Sequence, residues 1–132
     1  MSIKCYCCSG KLFSTCCEPF IAGIHKPGTA EELMRSRYSA YATVAVEYIM
    51  QTTHISERAR YNRKSIKEWA ESSVWEKLEI ISATQGRPED TTGFVEFKAF
   101  YKDKAQKPHV HHEYSTFKKE NDSWFFVSGN VY

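Results

Sequence analysis

The chain has 132 residues, 42% of them hydrophobic and 14% aromatic, enough for a packed core and too many for a disordered chain. Lysine and arginine number 18 against 16 acidic residues, and a net charge of +2 sets up no global field that would steer the chain to DNA or to a membrane surface. No apolar run approaches the roughly 20 residues that span a bilayer.

The chain opens with a cysteine segment, residues 1–28, closed by Gly23, Pro27 and Gly28. It holds every cysteine of the protein: Cys5, Cys7, Cys8, Cys16 and Cys17. A disulfide knot, reduced structural thiols, a redox dithiol and a metal site are the alternatives, and the spacing favours the metal. Cys5 and Cys7 form one clip, Cys16 and Cys17 another, and Ser9-Gly10-Lys11 between them reads as a tight turn. The expected ligands are Cys5, Cys7, Cys16 and Cys17, because Cys8 would crowd the turn that carries Cys7. Four thiolates close a tetrahedral Zn²⁺ site with Zn–S bonds of about 2.3 Å, leaving no position for water or substrate. Such a site is structural, and the same ligand set accepts iron. A segment this poor in apolar residues cannot fold by burial alone, whereas a structural zinc contributes roughly 10–16 kcal/mol in small peptides. The N-terminal Met1-Ser2-Ile3-Lys4-Cys5-Tyr6 has no apolar signal core, so the expected compartment is the cytosol, where disulfides are disfavoured.

Thr29 then reads as an N-cap, with Glu31 and Glu32 in the first turn of a helix that runs Leu33, Arg37, Ala40, Tyr41 and Val44 down one side and Met34, Tyr38, Tyr41 and Ala45 beside it. A second helical stretch covers about 45–53, continuing the first or bending from it. A third, about 56–73, carries Ile66, Trp69, Ala70 and Ser73 on one stripe and starts with the basic run Arg58-Ala59-Arg60-Tyr61-Asn62-Arg63-Lys64. The period then changes to that of strands, at 75–84, 93–101, 109–119 and 123–131. Breaks fall at Gln85–Pro88, Lys102–Pro108 and Glu120-Asn121-Asp122, the last a short polar turn that predicts a hairpin. Helices followed by antiparallel strands predict an α+β fold, with the helices on one face of a curved sheet.

The string Cys5-Tyr6-Cys7-Cys8-Ser9-Gly10-Lys11 followed by Cys16-Cys17 resembles the SEC-C metal motif. Glu18-Pro19-Phe20-Ile21-Ala22-Gly23, Leu33-Met34-Arg35-Ser36-Arg37-Tyr38-Ser39-Ala40-Tyr41, Thr53-His54 and the tail Phe117–Gly129 are similar to the YchJ family, UPF0225, over nearly the whole chain. The resemblance implies a cystatin-like cone of the nuclear transport factor 2 type at 29–132, after a knuckle at 1–28, and brings no assigned activity. Cys8 stands where the motif has glycine, at a position where a positive φ is wanted. Some members carry a second cysteine motif beyond the point where this chain ends, at Tyr132.

Arg35 and Arg37 are two positions apart and so point to opposite sides of their helix. One is expected at solvent or the knuckle. The other is expected against the sheet with a carboxylate, either as an interior pair or cap or as an anchor for an anionic ligand. A cone encloses a cavity, and Arg37, Tyr38, His54, Trp69, Glu113 and Trp124 are the candidates to line it. His109 and His111 share a strand face and His112 takes the other; a weak metal site is the alternative, and an exposed face is expected there. No phosphate loop, nucleophile elbow or acid–base pair is named by spacing.

Two functional classes follow. In the first, the knuckle docks on a protein or ribonucleoprotein partner, with Arg58, Arg60, Arg63, Lys64 and Lys67 adding contact to an acidic or RNA surface unless Glu57, Glu68 and Glu71 balance them. In the second, the chain is a small-molecule binder or enzyme that uses the cone cavity, with the knuckle as a stabilising lid. The interior decides: His54 meeting a carboxylate in an open cavity favours the second, and a cone filled with Phe, Tyr and Trp side chains favours the first.

Overall fold

In the computed structural model, which describes residues 3–132, helices pack on one face of a four-stranded antiparallel sheet of order β1-β2-β3-β4. The helices are α1 (Glu18–Ile21), α2 (Ala30–Ala42), α3 (Val46–Gln51) and α4 (Arg63–Ser72). The strands are β1 (Val74–Gln85), β2 (Thr92–Lys102), β3 (Pro108–Glu120) and β4 (Ser123–Val131). Met1 and Ser2 of the cysteine segment lie outside the described residues.

The start of α2 follows from its sequence. Thr29 Oγ1 accepts from the Glu32 N–H at 3.1 Å, while the Glu32 carboxylate reaches back to the Gly28 N–H at 2.8 Å. The helix ends at Thr43, and Val44, at φ +58°, turns the chain so that α3 bends away instead of continuing. The third helical stretch differs from the expected 56–73. A 3₁₀ turn over Ile55–Arg60 breaks at Tyr61, and Asn62 then caps α4 by accepting from the Ser65 N–H. That break matters, because it frees the Tyr61 ring from a helix face.

The hairpin expected after Glu120 is present, with Asn121 and Asp122 both at positive φ, as a two-residue turn between twisted strands requires. Irregularities in β1 pairing at Trp75/Lys77 and Ile80/Ser82, and in β3 at Thr116/Phe117, curve the sheet around α2. One core cluster joins Leu33, Met34 and Tyr38 of α2 to Leu78, Val95, Phe97, Phe117, Trp124 and Phe126 of the sheet. Cys5, Cys7 and Cys17 belong to that same cluster. A smaller one, free of sheet residues, packs Ala40, Ile49, Met50 and Ile66 between α2, α3 and α4. Among the described residues, no helix is long and apolar enough to cross a membrane.

Candidate functional site

The cysteine segment folds as a small hairpin. Lys4 bridges Leu12, the Cys5 N–H donates to the Lys11 carbonyl at 2.8 Å, and Gly10 turns the chain at φ +88°. Cys8 takes φ +65°, the conformation for which glycine is the undemanding residue. The Sγ atoms of Cys5, Cys7, Cys16 and Cys17 all lie within 4.8 Å of one another. Cys7 and Cys16 are 3.7 Å apart and Cys16 and Cys17 are 3.9 Å apart. A tetrahedron with Zn–S bonds of about 2.3 Å has S···S edges of about 3.8 Å, so the cluster fits that ion. Hydroxyls support the sulfurs, Ser39 Oγ at 3.5 Å from Cys5 and Ser9 Oγ at 3.2 Å from Cys16. Contacts with Cys17 and Cys7 hold the Cys5 thiol well below its ordinary range. Contacts with Cys5 and Cys7, then burial, push Cys17 up, and burial pushes Cys16 up. A metal bound as thiolate there would displace the thiol protons, so its affinity would rise with pH. Arg35 ties the knuckle to α2, its Nη1 donating to the Cys7 carbonyl at 2.8 Å while Nε pairs with Glu31.

The second site is a cavity of about 320 Å³ between α2, α4 and the open end of the sheet. That volume is within the ordinary range for small-molecule sites, roughly 300–1,000 Å³. Its wall is aromatic: Trp69 of α4 meets Trp75 of β1 edge-on at 5.3 Å, and Tyr41 of α2 meets Trp69 at 5.2 Å. Tyr61, from the break before α4, also lines it. Its polar floor comes from alternate residues of β3, which a strand presents on one face. Glu113 receives His111 Nε2 at 2.8 Å on one oxygen and the Ser115 hydroxyl on the other. Arg37 completes the lining; it is buried, with its guanidinium 4.7 Å above the Phe126 ring. A larger depression, lined by Glu68, Glu71, Ser72, Asp103, Lys104 and Ala105, lies open to solvent and has no aromatic wall.

Comparison with known proteins places this architecture. Residues 29–129 match the family described as YchJ, middle NTF2-like domain. A UPF0225 protein of Geobacter sulfurreducens is 48% identical over 129 residues, covering 98% of this chain and 80% of that protein. The chain belongs to the YchJ-like UPF0225 family. The solution structure of a SEC-C motif containing protein from Rhodopseudomonas palustris superposes with a TM-score of 0.89 at 32% identity, covering 98% of this chain and 99% of that one. The crystal structure of a SEC-C motif containing protein from Psychrobacter arcticus gives 0.78 at 35% identity, covering 94% and 75%. The NTF2-like cone and the SEC-C cysteine cluster of this YchJ-like protein thus have solved counterparts at the level of fold.

Of the six residues expected to line the cone of this YchJ-like chain, Arg37, Tyr38, Trp69 and Glu113 do so. His54 does not. Its N–H donates to the Phe126 carbonyl at 2.8 Å, which draws the chain to the sheet edge. There the ring stacks edge-on with outward-facing Phe125, and Nε2 meets Glu120 at 2.8 Å. Trp124 faces inward but lies beside the β3–β4 turn, the closed end of the cone, where its Nε1 donates to the Gly28 carbonyl at 3.1 Å. Arg37 has no carboxylate partner of the kind expected; its Nη1 donates to the Ile49 carbonyl and to the Thr52 and Thr53 hydroxyls. His111 is not on an exposed face, since α4 brings Trp69 over it at 5.4 Å. Sequence reading missed His111, Ser115, Tyr41 and Tyr61. The signal for the first two was the period-two run His111, Glu113, Ser115.

Burial alone would raise the Glu113 carboxyl, but the hydrogen bonds from His111 and Ser115, and then the Arg37 charge, outweigh it. Its folded value therefore lies below the unfolded value of about 4.3. The stability it contributes is present above that value and is lost as pH falls through the folded one. Glu113→Gln is expected to be less stable than wild type at pH 7, with the difference shrinking to near zero in acid. Urea midpoints of the two proteins across pH 7 to about 3 check this, the carboxylates common to both cancelling in the difference.

Proposed function

We propose that this YchJ-like chain binds a small organic molecule in the cone cavity, and that zinc in the Cys5–Cys7–Cys16–Cys17 cluster has a structural role. One observation carries the reading: a histidine–carboxylate pair and a buried arginine converge on an open, aromatic-walled cavity of ligand size. His111 donates through Nε2 to Glu113, which leaves Nδ1 as an acceptor suited to take a proton or hydrogen bond from a bound molecule. The metal cluster supports this division of labour. Four thiolates fill a tetrahedral site, so it offers no open position for chemistry. An all-thiolate site also persists best in reducing surroundings, which favours the cytosol.

The test is to incubate metal-loaded protein with a small-molecule cell extract, remove free compounds by gel filtration, and identify what stays by mass spectrometry. Wild type is expected to retain a defined compound that Trp69→Ala retains about tenfold less, since a lost aromatic wall removes contact area. Retention of nothing, or equal retention by the variant, contradicts the proposal.

A second reading has its own observation. The cysteine segment exposes Ile3, Tyr6, Leu12 and Ile24, apolar side chains suited to a protein or ribonucleoprotein partner. The basic run adds less than its composition suggests. Arg58 donates to the Thr53 and Gln51 carbonyls, Arg60 pairs with Glu57 and Arg63 with Glu47.

A further inference from the structure

Arg37 carries a buried charge with no ion-pair partner in contact among the described residues. Its side chain is 7% exposed, and the arginine ion pairs among the described residues are made by Arg35, Arg60, Arg63 and Arg87. Only Nη1 is engaged, and its three acceptors are neutral: the Ile49 carbonyl at 2.9 Å, Thr52 Oγ1 at 2.7 Å and Thr53 Oγ1 at 3.3 Å. Those acceptors already have other partners. Thr53 Oγ1 donates to the Ile49 carbonyl at 2.9 Å, and Thr52 Oγ1 to the Tyr48 carbonyl at 2.7 Å. Taking the guanidinium away would orphan none of them, whereas keeping it buried with no carboxylate in contact is unfavourable.

The remaining donors point to what offsets that penalty. Nε and Nη2 have no protein acceptor among the described residues, yet no fully buried side-chain nitrogen or oxygen there lacks a partner. Both donors therefore reach accessible space, and the space Arg37 lines is the cavity. The two form the fork that receives a carboxylate in a bidentate pair. Glu113, the carboxylate in the cavity, makes no contact ion pair with Arg37: its oxygens receive His111 and Ser115, and its charge acts on the guanidinium only from a distance.

Resting on the reading of the cavity as a small-molecule site, we infer that its ligand is a flat aromatic carboxylate. The carboxylate sits on Arg37 Nε and Nη2, and the ring lies against Tyr41, Trp69 and Trp75. A hydrogen-bond donor on the ring faces His111 Nδ1.

Calorimetric titration of the metal-loaded protein with 2-naphthoate, 2-naphthamide and 2-naphthylmethylamine tests the charge assignment. The three share a ring and differ in the group that meets Arg37. The acid is expected to bind about tenfold more tightly than either analogue. Arg37→Gln is expected to lower the acid to the affinity of the amide and leave the amide unchanged. An amide or amine that binds wild type as tightly as the acid overturns the carboxylate assignment and leaves the cavity reading standing. Failure of all three to bind also overturns it, while the cavity reading falls separately, on an extract that leaves nothing on the protein. The wild-type series decides by itself should Arg37→Gln fail to fold.

Discussion

Cys7→Ser is expected to abolish metal binding by the cysteine cluster and to destabilise the NTF2-like domain along with the knuckle. A division of the chain at residue 28 suggests that loss of a cysteine ligand unravels residues 1–28 alone. The packing argues for a larger effect. Cys7 is fully buried, and Cys5, Cys7 and Cys17 share one core cluster with Leu33, Met34, Tyr38 and Phe117. The Cys7 carbonyl also holds Arg35 of α2, and Cys5 touches Ser39. A closed zinc site contributes roughly 10–16 kcal/mol in zinc-finger peptides at neutral pH, against about 5–15 kcal/mol for the stability of a whole domain. Losing one of four ligands should therefore cost several kcal/mol and shift the single unfolding transition. Elemental analysis should show close to one metal per chain in wild type and well under half of that in the variant. A variant whose domain melts as wild type does would show that the knuckle is energetically separate. The same packing makes Cys5 or Cys7 variants poor probes of knuckle docking; Tyr6→Ser with Leu12→Ser, both exposed, tests that surface without touching the core.

Gly129→Ala should damage the cavity from behind. Gly129 pairs with Ser115 across the β3–β4 ladder, and a Cβ built on it overlaps the Glu113 carboxylate. Glycine within a strand often marks such a close approach. Either the strand shifts, or Glu113 leaves His111 and Ser115 and swings into the cavity. Overpacking of this kind costs about 1–3 kcal/mol. In a Glu113→Ala background the clash has no partner, so the cost of Gly129→Ala should fall below about 1 kcal/mol, a coupling that denaturant melts of the four proteins would measure. Equal costs in both backgrounds would place the strain elsewhere.

The parts of this molecule that were legible in the sequence are those fixed by local chemistry. The cysteine clips and the turn between them require only near neighbours, and so do the Thr29 cap and the Asn121-Asp122 hairpin. Cys8 at positive φ follows from standing where the motif has glycine. The cavity was legible only in part, because its lining depends on which face of β3 the helices cover. His111 looks like a surface residue until α4 lays Trp69 across it. His54 looks like a cavity residue until the parallel bridge between Thr53 and Phe126 carries it to the sheet edge. Trp124 and Gly129 lie on the same strand, and only the position of the open end separates core from site. Where a carboxylate was expected, Arg37 Nη1 instead meets the Ile49 carbonyl of α3 and the Thr52 and Thr53 hydroxyls just beyond it, contacts that no local pattern announces.

The most direct measurement is a crystal structure of the metal-loaded protein soaked with a mixed set of aromatic acids, amides and amines. The account predicts density in the cavity between Arg37 and the Trp69–Trp75 wall, with the cysteine cluster holding one tetrahedral metal and no compound. Density confined to other surfaces, or a compound bound at the metal, would contradict it.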